Sequence, residues 1–505
     1  MKSIFKAVAV VTIFSIITRT LGFFFRVFLS RKLGAEGLGI FQMASSILGL
    51  FLTLVSSGIP LATAKQVSKY LSSNDYAKKY KTVSSALIIA IVVSVIASFI
   101  IFALKSFWNI VLTDSRAVEI LIILIPSVLT SAVYSVFRGA LWGHSDYFNC
   151  GLTELIEQII RFALTFIFLL NITDMFVAAK YSAIAFNITC LFSAVIVMFI
   201  YFKRGRLNFK KGEYKNIFKS ALPVTGIRVA NSFVQPLTTL IIPNMLVVCG
   251  YAANEAISSF GVVMGMTFPM LFVPMSVVGS ISMVLIPSIS SLMSKNNFLE
   301  IKNNITSSIE VSIFISMIFI PLYLSVGDLI GIVLYNNALS GVLLQTAAIS
   351  VLPITLCNLT GSILDALNKE IKSFINHMIG SIILFASLII FTPLLGINSV
   401  IISFFLSMTT TSILNFRIIK KAVPNFNFNL ISYSFKYTLI LIPASTLGMF
   451  ISNICLQIAN NFISAVIGGG IAIIATLILI RIFNIYDMSE LIEIIKHTKR
   501  KPKTE

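Results

Sequence analysis

The sequence predicts an all-α membrane protein with about 14 transmembrane helices, and three observations lead to this fold class. Hydrophobic residues make up 57% of the 505 residues and charged residues only 11%, whereas about a quarter of the residues in soluble domains are charged. Apolar runs of about 20 residues, the length that crosses the hydrocarbon of a bilayer, recur along the whole chain. The segments between these runs are too short for a sizeable soluble domain.

Apolar length and the turn or charge signals between runs define the predicted spans. They cover residues 5–29, 38–62, 83–104, 118–141, 153–171, 176–202, 220–248, 256–290, 305–335, 341–366, 373–394, 396–418, 432–456 and 459–483. The first run contains Arg19 and Arg26 and has no convincing small-residue cleavage site. It is therefore expected to be retained as span one and not removed as a signal peptide.

The net charge of +19 is distributed over loops and not over one domain. Lys and Arg gather in alternate loops, above all in residues 65–81, 203–219 and 417–421 and in the tail after residue 484. Positively charged short loops stay in the cytoplasm. The even number of spans and this bias predict a multi-pass protein of the plasma membrane with both termini cytoplasmic, whose partner is the lipid bilayer and not nucleic acid.

An internal repeat is indicated when the chain is shifted by 227 residues along itself. The shift places Ile59-Pro60 on Ile286-Pro287 and Ile125-Pro126 on Leu352-Pro353. Six spans per copy would give two halves of equal orientation, the layout of parallel-repeat transporters. The sequence therefore predicts two lobes around a central cavity. The segments in chain order are an N-lobe at 1–202 (helices 1–6), a basic cytoplasmic linker at 203–219, a C-lobe at 220–421 (helices 7–12), helices 13–14 at 422–484, and a cytoplasmic tail at 485–505.

Five arginines fall inside or at the ends of predicted spans, where a charge near the bilayer centre costs about 2.5–3.5 kcal/mol on insertion scales. They are Arg19, Arg26, Arg138, Arg161 and Arg228. Such residues either snorkel to the interface, pair with an acid or face a polar cavity. Arg19 and Arg26 share one helix face because seven residues make about two turns. Glu157 and Arg161 are spaced as an i, i+4 ion pair. All five are candidate cavity residues.

Glycines and prolines within the spans are candidates for bending or gating, because proline removes a helical hydrogen bond. The candidate positions are Gly22, Pro60, Gly265, Pro269, Pro274 and Pro287. Pro269 and Pro274 follow Gly265-Met266 within one span and predict a broken helix there. For any single proline, the commoner reason is the general frequency of proline in membrane helices.

Motifs of soluble enzymes are missing from the sequence: it contains no phosphate-binding loop, His-Glu-x-x-His or Cys-x-x-Cys. The five cysteines are scattered and odd in number, so they predict neither a disulfide framework nor a metal site. We therefore expect a protein that is not an enzyme and that holds no cofactor or metal.

Several motifs carry a family resemblance. They are Thr18-Arg19-Thr-Leu-Gly22-Phe, Phe25-Arg26, Gly34-Ala-Glu36-Gly37-Leu-Gly39-Ile-Phe41, Ser57-Gly58-Ile-Pro60, Ala221-Leu-Pro223-Val-Thr225, Asn254-Glu255-Ala256, Gly265-Met266 with Pro269, and Leu285-Ile-Pro287. These segments resemble the stage V sporulation protein B group, which is part of the multidrug/oligosaccharidyl-lipid/polysaccharide exporter superfamily. The superfamily includes the lipid II flippases of peptidoglycan synthesis.

The resemblance implies a two-lobed bundle of 14 spans that alternates between inward-open and outward-open states. In lipid II flippases, span-one arginines help bind the substrate diphosphate, and Arg19 matches the position of one of them. The spacing from Arg19 to Arg26 agrees with the sporulation protein group but is one residue longer than in the lipid II flippases. The implied function is export of an undecaprenyl-diphosphate-linked glycan, lipid II or a related cell-wall or spore-cortex precursor. Membrane potential or an ion gradient would drive it, and cell-wall synthases are candidate partners. Two alternatives stay open: a cation-coupled multidrug exporter and a non-transporting scaffold for cell-wall synthesis.

Overall fold

A computed structural model describes residues 2–210, 212–428 and 430–483 of the chain, and this described part is α-helical with no strand. The predicted tail at 485–505 lies outside these residues. The described residues of Met1–Met266 and Phe385–Val400 form one compact unit, and those of Thr267–Leu384 and Ile401–Glu505 form a second. The all-α fold class is confirmed. The lobe boundaries derived from the repeat stay a prediction.

The first compact unit begins with a long helix and contains most of the shorter ones. Its helices are α1 (Lys2–Ser56), α2 (Gly58–Ser72), α3 (Tyr76–Ala103), α4 (Lys105–Val111), α5 (Ser115–Leu124), α6 (Pro126–Gly143), α7 (Tyr147–Leu169), α8 (Met175–Phe202), α9 (Tyr214–Ser232), α10 (Val234–Val248) and α11 (Ala253–Gly261). A π-helical segment, Val262–Thr267, follows α11. Phe385–Val400 also belongs to this unit.

The second unit is built from longer helices. They are α12 (Phe268–Ser294), α13 (Phe298–Tyr335), α14 (Ala338–Ala347), α15 (Val351–Ala366), α16 (Glu370–Leu395), α17 (Asn398–Ala422), α18 (Leu430–Ile458) and α19 (Asn461–Ile482). Its core is largely aliphatic, with Ile301, Ile305 and Ile309 fully buried on successive turns of α13. A buried amide pair, Asn376 and Asn415 at 2.9 Å, adds a polar contact between α16 and α17.

Eleven helical runs of the described chain are long and apolar enough to cross a membrane, or twelve if the bent pair α5 and α6 is one span. One of these runs, Thr12–Ser72, is 61 residues long and covers most of the first predicted span and all of the second. Helix α7, with 23 residues, matches the fifth predicted span and carries Glu154, Glu157 and Arg161. The helices are therefore compatible with 14 spans, and the chain is a multi-pass membrane protein.

The first long run is interrupted at Gly34, where the sequence predicts a loop, and again before Pro60, within the second predicted span. Gly34 has φ 64° and ψ −176°, a backbone conformation that residues with a Cβ rarely adopt, and it interrupts α1 between the first two predicted spans. Pro60 lies in the first turn of α2, where a missing N–H breaks no helical hydrogen bond. The second predicted span thus consists of the end of α1 and the start of α2.

Loops that the topology assigns to one side of the membrane meet at one end of the first unit. Lys79 at the start of α3 lies beside His144 in the α6–α7 turn, with 3.4 Å between Nζ and Nε2. Arg204, just after α8, forms an ion pair with Asp146 at 3.0 Å. The backbone N–H of Asn208 in the linker donates to Ser84 Oγ at 2.7 Å. These three loops are neighbours, as alternate spans require.

The loops assigned to the other side meet at the opposite ends of the same helices. Arg116 at the start of α5 binds Glu36 at 2.6 Å and Asp114 at 2.7 Å. Asn244 of α10 donates to the carbonyl oxygen of Val111 at 3.1 Å. Both groupings follow the predicted alternation of loops within this unit.

Candidate functional site

A polar cavity of about 300 Å³ lies within the first unit. Helix α6 contributes Ser131, Tyr134, Ser135 and Arg138, α7 contributes Glu157 and Arg161, α8 contributes Phe186, Cys190 and Ser193, and the chain around the α1–α2 break contributes Leu52, Ser56 and Pro60. The volume is at the lower end of the range for small-ligand pockets. Charged and hydroxyl groups from α6, α7 and α8 therefore line one cavity.

Helical spacing explains why α6 presents arginine to this cavity between two aromatic rings. Tyr134, Arg138 and Trp142 are four residues apart and therefore lie on one helix face. The Arg138 guanidinium carbon is 6.0 Å from the Tyr134 ring centre and 5.6 Å from that of Trp142. Such cation–π contacts stabilise a guanidinium in a fixed place away from water.

Two carboxylates on α7 neutralise the two cavity arginines. Glu157 pairs with Arg161 one turn further along the same helix, as the sequence spacing predicts. Glu154 forms an ion pair across to Arg138 on α6. Arg161 also packs over the Phe186 ring of α8, 5.0 Å from its centre. The pairing compensates the charge of both guanidiniums inside the helical bundle, where an uncompensated charge would be costly.

Arg19 and Arg26 lie elsewhere, exposed on one face of α1. Gly22 lies between them, and no described atom would be within 4 Å of a Cβ at that position. The other side of α1 packs on α7: the ring centres of Phe28 and Phe162 are 5.5 Å apart, and those of Phe25 and Phe162 6.2 Å. We refer to Arg19, Gly22 and Arg26 as the α1 arginine face.

Arg228 is exposed on α9, and its carbonyl oxygen accepts a hydrogen bond from Ser232 at 2.8 Å. The structure thus brings Arg138 and Arg161 together in one cavity and places the α1 arginine face outside that cavity. Arg228 does not line the cavity either. The five candidate arginines therefore form at least two groups with different surroundings.

The candidate gating residues are also distributed over different places. Pro60 lines the cavity, and a Cβ at Gly139 would lie 2.5 Å from its carbonyl oxygen, so α2 and α6 are in close backbone contact there. Gly265 lies in the π-helical segment, Pro269 begins α12, and Pro274 and Pro287 lie inside α12.

The break predicted at Pro269 and Pro274 takes another form. Helix α12 runs without interruption past Pro274, and the irregularity comes before it, as the π-helical segment Val262–Thr267. Pro269 has no N–H to donate to the carbonyl four residues earlier, at Gly265. The widened helical turn preceding the proline is a common way to accommodate such a missing hydrogen bond.

Sequence reasoning missed the hydroxyl and aromatic residues of the cavity, namely Ser131, Tyr134, Ser135, Phe186 and Ser193. Each is unremarkable alone in a membrane helix. The usable signal was their spacing, because Ser131, Ser135 and Arg138 recur every three to four residues and so share one face of α6.

A model of the family described as "Polysaccharide biosynthesis protein" matches residues 4–293, more than half of the chain. The chain belongs to this family. Stage V sporulation protein B of Bacillus subtilis (strain 168) is 25% identical over 443 residues, covering 84% of this chain and 85% of that protein. Lipid II flippase MurJ of the same strain is 22% identical over 501 residues, covering 91% of this chain and 88% of that protein.

A solved structure has a similar fold over nearly the whole chain. A structure of lipid II flippase MurJ in an inward closed conformation matches with a TM-score of 0.73 at 14% identity, covering 94% of this chain and 98% of that one. The resemblance found in the sequence is thereby confirmed. This member of the multidrug/oligosaccharidyl-lipid/polysaccharide exporter superfamily is a membrane transporter and not an enzyme.

Proposed function

We propose that this transporter moves an undecaprenyl-diphosphate-linked glycan, lipid II or a related cell-wall or spore-cortex precursor, to the outer leaflet by alternating access. The observation that carries the proposal is the α1 arginine face, where Arg19 and Arg26 are exposed on one side of a membrane-spanning helix. Two guanidiniums on one face of an apolar helix make that face cationic, and a lipid-linked diphosphate is an anion that such a face would attract.

Arginine suits this substrate because its planar group of N–H donors binds phosphate oxygens in pairs and does not deprotonate. The open space at Gly22 leaves room for a headgroup between the two guanidiniums. The lipid tail would remain in the bilayer while the glycan and diphosphate cross. Arg228 is a third candidate contact, since it is exposed on α9.

The proposed orientation has both termini in the cytoplasm of a bacterial cell. With the cell interior negative, the membrane potential favours outward movement of an anion by about 2.3 kcal/mol per charge per 100 mV. The potential, with or without an ion gradient, is therefore the proposed driving force, and no bound cofactor is needed. Cell-wall synthases that consume the product are the proposed partners.

A cation exporter would need available carboxylates in its binding site. The cavity carboxylate Glu157 is paired with Arg161, and its neighbour Glu154 is paired with Arg138. These pairs favour the glycolipid over a drug-like cation.

The test measures flipping of lipid II, of another undecaprenyl-diphosphate glycan and of a monophosphate-linked glycan in vesicles that contain the purified protein. Arg19→Ala and Arg26→Ala are expected to abolish flipping of the diphosphate lipids, while Arg19→Lys retains part of it. Thr20→Ala is the matched control, because Thr20 is exposed on the same helix and its hydroxyl donates to the Ile16 carbonyl oxygen of α1 at 2.9 Å.

Three outcomes would refute the proposal. Wild-type rates for Arg19→Ala and Arg26→Ala would exclude the diphosphate role of the α1 arginine face. A protein that flips none of the lipids, yet restores growth of flippase-depleted cells in both variant forms, would instead be a scaffold. Faster flipping of the monophosphate lipid would also contradict diphosphate recognition.

A further inference from the structure

The chain between α8 and α9 contains four aromatic residues that are each followed directly by a lysine. All eight side chains are exposed, and the rings at positions 209 and 218 are 60% and 54% exposed. We refer to residues 202–219 as the basic-aromatic segment. It joins the ends of two membrane-spanning helical runs, Met175–Phe202 and Tyr214–Val248, so it lies where apolar spans begin and end. The four pairs are Phe202-Lys203, Phe209-Lys210, Tyr214-Lys215 and Phe218-Lys219.

Hydrogen bonds hold the backbone of this segment against the start of α3. The backbone N–H of Asn208 donates to Ser84 Oγ at 2.7 Å, and that of Glu213 donates to Ser85 Oγ at 2.9 Å. Both serines are buried. The position of the segment is therefore fixed by α3, while its aromatic rings and lysines remain exposed.

Helix α3 shows that this part of the first unit faces lipid. Only 28% of the apolar stretch of α3 is buried, and Val95, Phe99 and Phe102 are more than half exposed. An apolar surface of this kind on a membrane-spanning helix contacts acyl chains. Because the basic-aromatic segment crosses the start of such a helix, its exposed rings lie beside the interface between headgroups and acyl chains, where exposed aromatic side chains are stable.

The segment remains positively charged after the nearby acids are counted. Arg204 pairs with Asp146 of the α6–α7 turn at 3.0 Å, so these two charges cancel. The other five described basic residues face one acid of the segment, Glu213, which leaves a charge of +4. The loop at 65–81, which precedes and begins α3, adds five lysines and a single acid, Asp75. The five basic residues of the segment are Lys203, Arg206, Lys210, Lys215 and Lys219.

Lysines that alternate with exposed aromatic rings select one kind of partner. Water solvates the lysines, but it leaves the rings in contact with water, which is unfavourable. A bilayer that contains anionic phospholipid suits both groups, because phosphate oxygens accept from the ammonium groups while the rings enter the apolar part of the interface. The apolar stem of lysine lets its charge reach the phosphate level from a position beside the acyl chains.

We propose that the basic-aromatic segment binds the phosphate headgroups of anionic phospholipids in the inner leaflet, with Lys215 and Lys219 of α9 as central contacts. The two lysines are four residues apart, and so are Tyr214 and Phe218, so charges and rings form adjoining strips along one helix. The partner is a lipid of the bilayer and not the transported glycolipid. Bound phospholipid would hold the start of α9 beside α3, together with the two serine hydrogen bonds.

The experiment measures which phospholipid surrounds a tryptophan placed in the segment. The native tryptophans, Trp108 and Trp142, are both replaced by phenylalanine, and Phe218→Trp then supplies the only reporter. The purified full-length protein is placed in nanodiscs of phosphatidylcholine and phosphatidylglycerol without glycolipid. One or the other lipid carries brominated acyl chains. Bromine quenches tryptophan on contact, so the two quenching curves give the relative affinity of the two lipids.

The Phe218→Trp reporter is expected to favour phosphatidylglycerol about fivefold or more, the factor that one lysine contributes beside an anionic leaflet. Lys215→Gln combined with Lys219→Gln should bring this ratio close to one, and high salt should lower it. The matched control is Lys420→Gln combined with Lys421→Gln, which removes two exposed lysines from the end of α17 and should leave the ratio unchanged.

A second reporter separates this preference from a general effect of lipid composition. Val95→Trp, in the same background without native tryptophans, places the reporter on α3 within residues 82–104, which contain no charged side chain. Val95 is 54% exposed, so the reporter should be quenched, but equally by both lipids.

Several results would overturn the proposal. Equal quenching of the Phe218→Trp reporter by both lipids, or a preference that survives the loss of Lys215 and Lys219, would show that the lysines do not recognise the headgroup. No quenching by either lipid would mean that this face of α9 does not contact the bilayer. Loss of the preference in soluble glycerol phosphate would assign the lysines to a free phosphate. Loss of quenching in polyglutamate would assign the surface to an acidic protein. Glycolipid flipping is measured separately, so its failure would leave these results unchanged.

Discussion

Arg138 on α6 and Glu154 on α7 form an ion pair that joins two neighbouring helices beside the cavity. Their side chains are 34% and 28% exposed, so the pair is partly shielded from solvent. A pair in such surroundings contributes more than one on the surface, and removal of one partner leaves the other charge desolvated. The contact therefore holds α6 and α7 together at the level of the two cavity arginines.

Glu154→Gln is expected to lower the free energy of unfolding by about 1–3 kcal/mol, because Arg138 then lacks its counter-charge. Thermal unfolding of the purified protein in detergent measures this. In a double-mutant cycle, Arg138→Gln combined with Glu154→Gln should cost less than the sum of the single changes. Additive losses would mean that the two side chains do not stabilise each other.

His144 is expected to make the stability of the first unit depend on pH. Its Nδ1–H donates to the Ala140 carbonyl at 2.7 Å, and its Nε2 faces the Lys79 ammonium at 3.4 Å, which is the arrangement of a neutral ring. Burial is the main cause that lowers the pKa of His144, and the positive charges of Lys79 and Arg204 act in the same direction, while Ala140 and Asp146 oppose them.

The direction in which stability changes with pH follows from proton binding. Since the pKa of His144 is lower in the folded than in the unfolded protein, the unfolded state takes up more protons as the pH falls. The contribution to stability is complete above about pH 6.5 and is lost at lower pH. Melting temperatures between pH 8 and 5 should fall less steeply for His144→Gln than for the wild-type protein. Parallel curves would exclude this role of His144.

Apolar length and loop charge were sufficient to predict the helices and their alternation. The break at Gly34 and the match of α7 to the fifth predicted span both follow from local sequence, because each depends on residues close together in the chain. The i, i+4 pair of Glu157 and Arg161 was predictable for the same reason.

Contacts between different helices could not be predicted from local sequence spacing. Glu154 lies three residues before Glu157, and nothing in that spacing indicates that its partner is Arg138 on another helix. The π-helical segment before Pro269 depends on how the freed carbonyl of Gly265 is accommodated, and the sequence specifies only that a hydrogen bond is missing. The relation of the candidate site to substrate stays a prediction that needs the transport assay.

Arg116 is expected to stabilise the end of the first unit that is opposite His144. Its Nη2 binds Glu36 at 2.6 Å and Asp114 at 2.7 Å, and its Nε also donates to Asp114 at 2.9 Å. Arg116→Gln should lower the free energy of unfolding by about 1–3 kcal/mol, and Arg116→Lys should recover only part, because lysine lacks the paired donors.

The matched control for Arg116 is Lys180→Gln on the same unit. Lys180 pairs with Glu119 at 2.6 Å, but the Glu119 side chain is 57% exposed. Exposed pairs contribute about 0–1 kcal/mol. Chemical or thermal unfolding should therefore separate the two variants clearly. Equal losses would show that the number of partners around Arg116 is irrelevant.

The closest approach of α1 and α11 depends on glycine. A Cβ at Gly39 would lie 2.3 Å from the Ile257 carbonyl oxygen, and a Cβ at Gly261 would lie 2.1 Å from that of Ala35. Both distances are far below van der Waals contact, so any side chain must separate the two helices. Gly39→Ala is expected to lower the free energy of unfolding by about 1–3 kcal/mol through this overpacking.

Gly49→Ala is the control on the same helix, since no described atom lies within 4 Å of its Cβ position. It should be neutral or stabilise by about 0.5–1 kcal/mol, because alanine favours the helix. The double variant Gly39→Ala with Gly261→Ala tests whether both glycines act at one contact between α1 and α11. Once one alanine has separated α1 from α11, the second meets less resistance, and the combined loss measured by thermal unfolding should be smaller than the sum. Strict additivity would mean that the two glycines act at independent contacts.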